Sequence, residues 1–297
     1  MSKLKNILAA TDLSPRGDKA LARAAHLARE HSARLAILYV QQERARENAK
    51  LHRIAGTIEK GLRETIAAWS LDDAAAITLV SGRPSAEIIR HAREAEADLI
   101  VAGDRGANLL ADLIRPATAE SLVRQGDRPV LLVKHTPRGP YRRVLVPVDF
   151  SEHSRGALEY ARRLAPDAEI HVLHAYEGVE RQLWRTDIRK SEIMRYRRES
   201  AKQARQAMKA FLDRVDGGTY KLRQGIWFGR APQVITMVSK RLYPDLVVVG
   251  TAGRKTWPQL FRGSVAQYVM REVQCDVLVV QPARTRMELD SKSRRAA

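Results

Sequence analysis

Internal repetition constrains the fold of this 297-residue chain more than any other feature of its sequence. Glycines and aspartates recur at a constant offset of 147 residues. The recurring pairs are Gly82 with Gly229, Asp98 with Asp245, Gly103 with Gly250, and Gly106 with Gly253. The segment 6–14 also parallels the segment 143–151, at an offset of 137. Since two units of about 140 residues can each bury a core of their own, the repeat predicts two tandem domains of one fold.

Each copy alternates short apolar runs with amphipathic helical patterns. This alternation is typical of βαβ units, and it predicts an α/β fold in which each domain is a doubly wound, Rossmann-like unit with five parallel strands. In the second copy the predicted strands are Val144 to Val148, Ile170 to Ala175, Leu222 to Phe228, Leu246 to Gly250, and Val277 to Val280. The predicted helices there are Ser154 to Leu164, Thr186 to Val215, Ala231 to Leu242, and Ser264 to Val273.

A short stretch rich in proline and glycine at 135–140 separates the copies. We expect a first domain at residues 1–137, a second at 138–284, and a basic, disordered tail at 285–297. No apolar run approaches the roughly 18 residues of a membrane helix, and the N-terminus lacks a secretory pattern. The sequence therefore predicts a cytoplasmic protein without a membrane partner. Cys275 is the only cysteine, which excludes an internal disulfide.

The second copy contains a spacing that favours phosphate binding: Gly250, Gly253 and, after nine further residues, Gly263 and Ser264. The motif lies between an apolar predicted strand and a predicted helix. Glycines let the main chain approach an anion closely, and a helix N-terminus with a serine hydroxyl offers donors to phosphate. The pattern therefore predicts a bound nucleotide at the carboxyl end of this strand.

The first copy has lost the second half of this motif. Pro116 and Ala117 stand where the second copy has Gly263 and Ser264. Proline removes a backbone donor, and alanine lacks the hydroxyl. Asp104 adds a negative charge beside the place that a phosphate would occupy. We therefore expect nucleotide in the second domain only.

The net charge of +18 lies mostly in the second copy. A basic surface attracts polyanions, so association of this half with nucleic acid is one hypothesis. Apolar residues recur at spacings of three and four through its most basic segment, at Ala201, Ala204, Met208, Phe211 and Val215. This pattern indicates an amphipathic helix with a solvated basic face, and we favour that interpretation over specific nucleic-acid binding.

With this motif the chain resembles the universal stress protein family, and specifically its tandem two-domain members. The nucleotide-binding branch of that family carries G-2x-G-9x-G-(S/T) after its fourth strand, and the second copy satisfies every position. The resemblance implies a stress-response sensor or regulator that binds ATP, AMP or ADP, with Mg²⁺ as an optional companion, on a fold of the adenine nucleotide alpha hydrolase type. It also implies that the two domains pack as a pseudo-twofold pair, and it leaves a further homodimer open.

The resemblance assigns the residues of the pocket. Those of the first two strands would flank adenine and ribose, Val249 would lie beneath the base, and those from Gly253 onward would hold the phosphates. For Asp149 the residues themselves leave a second interpretation open, a turn or helix cap, as the equivalent Asp12 indicates. The predicted binding residues are Pro147, Val148, Asp149, Ala175, Val249, Gly250, Gly253, Arg254, Gly263, Ser264 and Val265.

Catalytic residues are not evident in the sequence. It contains no G-x-x-x-x-G-K-[S/T] loop and no G-x-G-x-x-G after a first strand. His153 and His174 fall near predicted strand ends, where a lone histidine is more often packed or exposed than catalytic. Slow ATP hydrolysis through a bound Mg²⁺ and a positioned water is a third hypothesis, after nucleotide sensing and nucleic-acid association.

Overall fold

The chain divides into two compact units between Pro137 and Arg138. The computed structural model describes residues 3–42, 48–67, 69, 75–104, 118–177, 190–215, 221–251 and 265–281. Both units are α/β, with helices between parallel strands. The fold class predicted from the sequence is thereby confirmed.

In the first unit the strands lie in the order β3-β2-β1-β4-β5, and the four pairs of neighbours are parallel. The strands are β1 (Asn6–Thr11), β2 (Arg34–Gln42), β3 (Ala75–Gly82), β4 (Leu99–Gly103) and β5 (Val130–Val133). The described helices are α1 (Pro15–His31), α2 (Asn48–Ala67), α3 (Pro84–Glu94) and α4 (Thr118–Gln125).

The second unit repeats this arrangement with the order β10-β9-β6-β7-β8. Strand β6 is parallel to both of its neighbours, and β7 is parallel to β8. The strands are β6 (Arg143–Pro147), β7 (Glu169–Tyr176), β8 (Leu222–Phe228), β9 (Leu246–Gly250) and β10 (Asp276–Val280). The described helices are α5 (Glu152–Leu164), α6 (Lys190–Leu212), α7 (Ala231–Leu242) and α8 (Val265–Glu272).

The central strands of each unit are buried on both faces. In β9, Leu246, Val247 and Val248 are fully buried, and β4 has the same pattern at Leu99, Ile100 and Val101. Continuous apolar runs of this kind are typical of parallel strands that helices cover on both sides. Within the described residues, no helix has both the length and the apolar character needed to cross a bilayer.

Helix α6 confirms the amphipathic interpretation of the basic segment. Ala204, Met208 and Phe211 are buried, whereas Lys202 and Arg205 between them are exposed. The helix is observed at Lys190–Leu212, inside the predicted range, and residues 178–189 lie outside the described part of the chain.

An aspartate at the amino end of a central strand performs the same task in both units. The Asp98 carboxylate accepts hydrogen bonds from the backbone N–H groups of Lys5 and Asn6, at 2.7 and 3.1 Å. Asp245 accepts from Arg142 and Arg143, at 2.8 and 2.9 Å. Each carboxylate thus joins β4 to β1 or β9 to β6 before the strand ladder begins. This explains why aspartate recurs at the 147-residue offset.

Asp245→Ala is expected to lower the free energy of unfolding by about 1–2 kcal/mol, because two backbone donors lose a charged acceptor. Asp245→Asn keeps one acceptor oxygen and should lose less. Thermal and denaturant unfolding of the full chain measure the difference. An alanine variant as stable as the parent protein would contradict the assigned role.

Candidate functional site

The strand order of the second unit reverses between β6 and β9. From β6 the chain proceeds outward through β7 and β8, and then crosses back to β9 on the other side of β6. Val144 pairs with Leu246 and Leu145 with Val247, so the carboxyl ends of the two strands lie side by side. Open parallel sheets bind ligands in the crevice at such a reversal. The structure therefore brings the residues that follow β6 and those that end β9 to one candidate site.

Gly250, the last residue of β9, packs directly against the start of α5. A Cβ built at this position would lie 2.7 Å from the carbonyl carbon of His153 and closer still to its carbonyl oxygen. Real Cβ atoms do not approach backbone this closely, so only glycine fits. The requirement for glycine here thus arises from packing within the protein, before any ligand is considered.

The turn between β6 and α5 is held by Asp149. Its Oδ1 atom accepts hydrogen bonds from the backbone N–H of Ser151 at 3.1 Å and from the Ser151 hydroxyl at 2.6 Å. Ser151 in turn caps α5, since its hydroxyl oxygen accepts from the N–H of Ser154. Between them, Phe150 takes a left-handed conformation with φ of 65°. The helix consequently begins at Glu152, two residues before the predicted start.

The first unit builds the same turn. Asp12 accepts from the N–H and the hydroxyl of Ser14, and Ser14 caps α1. Leu13 takes φ of 59°, equivalent to Phe150. The alternative role that the sequence left open for Asp149, a turn, is therefore confirmed. A contact of Asp149 with a ligand stays a prediction.

The Asp149 carboxyl is ionised more readily than a free one. Neighbouring protein atoms remove part of the water around this carboxyl, which alone would raise its pKa. The hydrogen bonds from Ser151, together with one from Ser154, outweigh this effect and lower the pKa below the ordinary value of 3.8. At neutral pH the site therefore holds a carboxylate that can only accept hydrogen bonds, which suits ribose hydroxyls or an adenine amine.

The lowered pKa predicts a pH-dependent contribution to stability. A carboxyl whose pKa is lower in the folded than in the unfolded protein stabilises the fold above its unfolded pKa, and this contribution is lost as the pH falls through the folded pKa. Asp149→Asn should therefore lower the free energy of unfolding near neutral pH. The difference in this free energy between the parent and the variant should shrink as the pH is lowered below about 4. Unfolding curves at several pH values test this.

Ser151→Ala provides the matching control for that experiment. Without the serine donors the pKa of the Asp149 carboxyl should move back toward its ordinary value. The pH-dependent part of the change that Asp149→Asn causes in the free energy of unfolding should then decrease. If the difference in free energy of unfolding between the parent and Asp149→Asn grew toward low pH, it would contradict the assigned hydrogen bonds.

His174 is a packing residue on the α6 side of the site. Its Nδ1–H donates to the Val148 carbonyl oxygen at 2.8 Å. Its ring stacks on Phe150 with centroids 4.0 Å apart, and Phe211 of α6 lies 5.7 Å from Phe150. These contacts agree with the sequence-based preference for a packed histidine. Leu13 takes the same left-handed conformation in the first unit, so the turn sets this backbone geometry and the aromatic contacts accompany it.

The structure describes seven of the eleven predicted binding residues. Val148 and Val249 are buried, Pro147, Ala175 and Gly250 are half-buried, and Asp149 is exposed. Val265 is the first residue of α8 and is also half-buried. The other four predicted residues lie outside the described part of the chain, and they are Gly253, Arg254, Gly263 and Ser264.

Sequence reasoning missed an aromatic group near the ends of β7 and β8. Tyr176 and Phe228 meet edge to face with centroids 5.6 Å apart, and the Arg197 guanidinium carbon lies 4.6 Å from the centre of the Phe228 ring. The signal available was that the second copy has Trp227 and Phe228 where the first has Val80 and Ser81.

The first unit fills the equivalent region differently. Asp104, the counterpart of Thr251, forms an ion pair with Lys134 at 3.7 Å. The Lys134 side chain is 9% exposed. The negative charge expected from Asp104 is therefore compensated inside the protein, by a lysine whose counterpart in the second copy is Gln281.

Comparison with known proteins identifies relatives for both halves. The model of the Universal stress protein family matches residues 3–134 and 140–281. The Thermus aquaticus protein named Universal stress protein in QAH/OAS sulfhydrylase 3'region is 32% identical over 143 residues, 48% of this chain and 99% of that protein. Universal stress protein E of Escherichia coli K12 is 25% identical over 223 residues, 71% of this chain and 69% of its own length.

A solved structure shares the fold along nearly the whole chain. The crystal structure of a universal stress protein from Archaeoglobus fulgidus DSM 4304 has a TM-score of 0.68 at 20% identity, and the similarity covers 93% of this chain and 98% of that one.

Proposed function

Because the chain belongs to the universal stress protein family, we propose that its second unit binds one adenine nucleotide, with ATP as the favoured ligand, and acts as a nucleotide-dependent stress-response sensor or regulator. The base and ribose would lie at the carboxyl ends of β6, β7 and β9. The phosphates would lie against the segment that follows Gly250 and the start of α8.

The observation that carries this proposal is the adjacency of two elements at the strand reversal. The Asp149 turn follows β6, and Gly250 ends the neighbouring β9 in contact with the first turn of α5. The glycine motif begins at Gly250 and continues toward α8. An anionic carboxylate for the sugar and a glycine-rich segment for the phosphates thus start from neighbouring strand ends, an arrangement that suits a nucleotide.

The phosphate part of the proposal rests on the sequence of residues 251–265. Gly253 and Gly263 would admit the phosphates close to the main chain, and the Ser264 hydroxyl would donate to a phosphate oxygen just before α8 begins at Val265. Arg254 and Lys255 supply positive charge in the same segment. This segment contains no aspartate or glutamate that would repel a polyphosphate.

The second unit is favoured over the first for two reasons. The first unit has Pro116 and Ala117 in place of Gly263 and Ser264. It also places Asp104 with its partner Lys134 at the end of β4, where the second unit has the small, uncharged Thr251. Because Asp104 neutralises Lys134, this pair offers no net positive charge to a phosphate.

Sensing fits the site better than catalysis. His174 is committed to packing, and the Asp149 carboxylate is held by the serines of its own turn. A nucleotide held against the segment between β9 and α8 would change the surface that partners meet, and a binding protein can signal its ligand state in this way.

Isothermal titration of the full chain, first freed of nucleotide by gentle unfolding and refolding, tests the proposal. ATP should bind with a stoichiometry of about one per chain and raise the unfolding temperature. GTP serves as the base control and should bind more weakly. Two equivalent sites, or no heat and no thermal shift at millimolar ATP, would contradict it.

A further inference from the structure

A shallow groove lies beside the same helix in both units. In the first unit it is bordered by α3, with Arg90, Arg93 and Glu94 in its wall, and its volume is about 480 Å³. In the second unit the corresponding groove has a volume of about 460 Å³. Its walls are formed by Gln233, Thr236, Met237, Lys240, Arg241 and Tyr268. The 147-residue offset relates α3 to α7, so the two grooves can be compared position by position.

In the first unit the positive charges of the groove are neutralised by neighbouring carboxylates. Arg90 forms ion pairs with Glu87 at 2.6 Å and with Glu94 at 2.9 Å. Arg93 forms one with Asp127 at 2.9 Å. Three acidic side chains thus accompany two arginines, and this groove offers little attraction to an anion.

The second unit has none of these three carboxylates. The offset places Val234, Arg241 and Gln274 where the first unit has its acidic side chains. Lys240 retains the positive charge of its counterpart, Arg93. Within the part of the chain that the structure describes, neither Lys240 nor Arg241 has a carboxylate partner. Among the positions that line the first groove, the offset adds one carboxylate, Glu272 in place of Gln125, so Lys240 and Arg241 leave the second groove with a net positive charge.

Aromatic rings have replaced small or acidic residues at three positions on or next to the elements that form this groove. At equivalent positions the second copy has Trp227 where the first has Val80, Tyr243 where it has Glu96, and Tyr268 where it has Ser121. The tyrosine at position 243 caps α7 in a left-handed conformation and is 78% exposed. The tryptophan, at the end of β8, is 36% exposed, and the Arg241 guanidinium carbon lies 5.5 Å from the centre of its ring.

We propose that this aromatic-basic surface binds single-stranded nucleic acid. The surface consists of Trp227, Lys240, Arg241, Tyr243 and Tyr268. Lysine and arginine would contact phosphates, while exposed rings would stack with unpaired bases. Both features arise on the second copy alone, at positions where the first copy has carboxylates and small side chains. An acidic peptide would satisfy the charges without using the rings, and a duplex would keep its bases inside.

The edge strand beside the groove, β8, carries another aromatic ring next to another arginine. Strand β8 is the last in the order, with β7 as its one neighbour in the described sheet. On the face of β8 opposite Trp227, Phe228 is 39% exposed beneath the Arg197 guanidinium. A single strand that leaves the groove past Trp227 would meet a second ring and a second arginine. The ligand would be a polymer outside the nucleotide pocket, so this site is separate from the proposed function.

Fluorescence anisotropy with a labelled oligouridylate of about 20 nucleotides tests the surface. The parent protein should bind it with an affinity that falls steeply between roughly 50 and 200 mM salt. The double variant R241E/Y243E introduces at the end of α7 and at its cap the glutamates that the first copy has as Glu94 and Glu96, so the shared fold accommodates them. It should lose at least about tenfold in affinity and show a shallower salt dependence. Trp227→Val should lose about tenfold with an unchanged salt slope.

The variant K202E/R205E is the charge control, since it changes two exposed residues of α6 and removes one more positive charge than R241E/Y243E. It should bind the oligonucleotide nearly as the parent does. ATP titration of R241E/Y243E should match the parent, which separates this surface from the nucleotide site.

Four results would overturn the inference. They are the absence of oligouridylate binding by the parent, equal losses in K202E/R205E and R241E/Y243E, tighter binding of a duplex than of a single strand, and binding of poly-glutamate that responds to the same variants. The last result would identify a site for acidic peptides instead.

Discussion

The double variant Gly263→Pro, Ser264→Ala is expected to lose at least about a hundredfold in ATP affinity while remaining folded. It transfers to the second copy the residues that the first copy has at the same offset. Proline removes a backbone donor, and alanine removes the hydroxyl, so two hydrogen bonds to charged phosphate oxygens are lost. At about 1.5–3 kcal/mol each, their loss weakens binding by the stated factor. Calorimetric titration against the parent measures it.

Ser264→Thr is the matched control for this variant. Threonine retains the hydroxyl and satisfies the G-2x-G-9x-G-(S/T) pattern, so ATP affinity should stay within a few-fold of the parent. If the double variant bound ATP as tightly as the parent, the glycine motif would have no role in holding phosphates. If Ser264→Thr lost as much as the double variant, the hydroxyl would not be the relevant group.

Gly250→Ala is expected to have the largest effect on stability. The added Cβ would press on the carbonyl group of His153 in the first turn of α5, and backbone on both sides must shift to accommodate it. Overpacking of this kind costs about 1–3 kcal/mol. The same shift separates β9 from the Asp149 turn, so ATP affinity should fall together with the free energy of unfolding. Thermal unfolding and ATP titration of one preparation measure both effects.

Two other glycines provide controls. Gly103, the counterpart of Gly250, has its nearest backbone neighbour, the Arg16 carbonyl oxygen, at 3.1 Å from a built Cβ, so Gly103→Ala should be milder. Gly156, inside α5, has open space around a built Cβ, and Gly156→Ala should raise stability by about 0.5–1 kcal/mol through helix propensity. A Gly250→Ala protein as stable as the Gly156→Ala protein would contradict the close approach of β9 to α5.

Elements bounded by strong local signals were predictable from the sequence. Helix α7 and strands β8 and β9 have the bounds that the pattern predicts. Gly229, with φ of 134°, ends the turn before α7, and Pro232 lies in its first turn, where its missing N–H costs nothing. The duplicated Gly and Asp positions likewise reflect backbone requirements that both units share.

Other features depend on contacts that the sequence does not display. Helix α5 begins before the predicted Ser154 because Ser151 is the capping residue, and this follows from the left-handed turn at Phe150. A large aromatic residue is rarely found in that conformation, and stacking with His174 accompanies it here. Gly250 belongs to the predicted phosphate motif, and the structure adds a requirement that the sequence does not display, the close approach of α5.

The candidate site is described at its strand ends, and its phosphate side remains a prediction from sequence. The aspartate turn recurs in both units, at Asp149 and Asp12, whereas contact of Asp149 with a ligand stays a prediction. The sequence alone did not predict the groove beside α7. Its basic and aromatic residues come from two helices and a strand end, and their difference from the first copy is visible only when the two units are compared.

The most direct test of the nucleotide proposal is the identity of what the protein carries when it is purified. Freshly prepared full chain is denatured, and the released small molecules are separated by chromatography and identified by mass spectrometry. We expect about one adenine nucleotide per chain from the parent and none from the folded Gly263→Pro, Ser264→Ala variant. Release of no nucleotide, combined with no thermal shift at millimolar ATP, would contradict the assignment of a nucleotide site to the second unit.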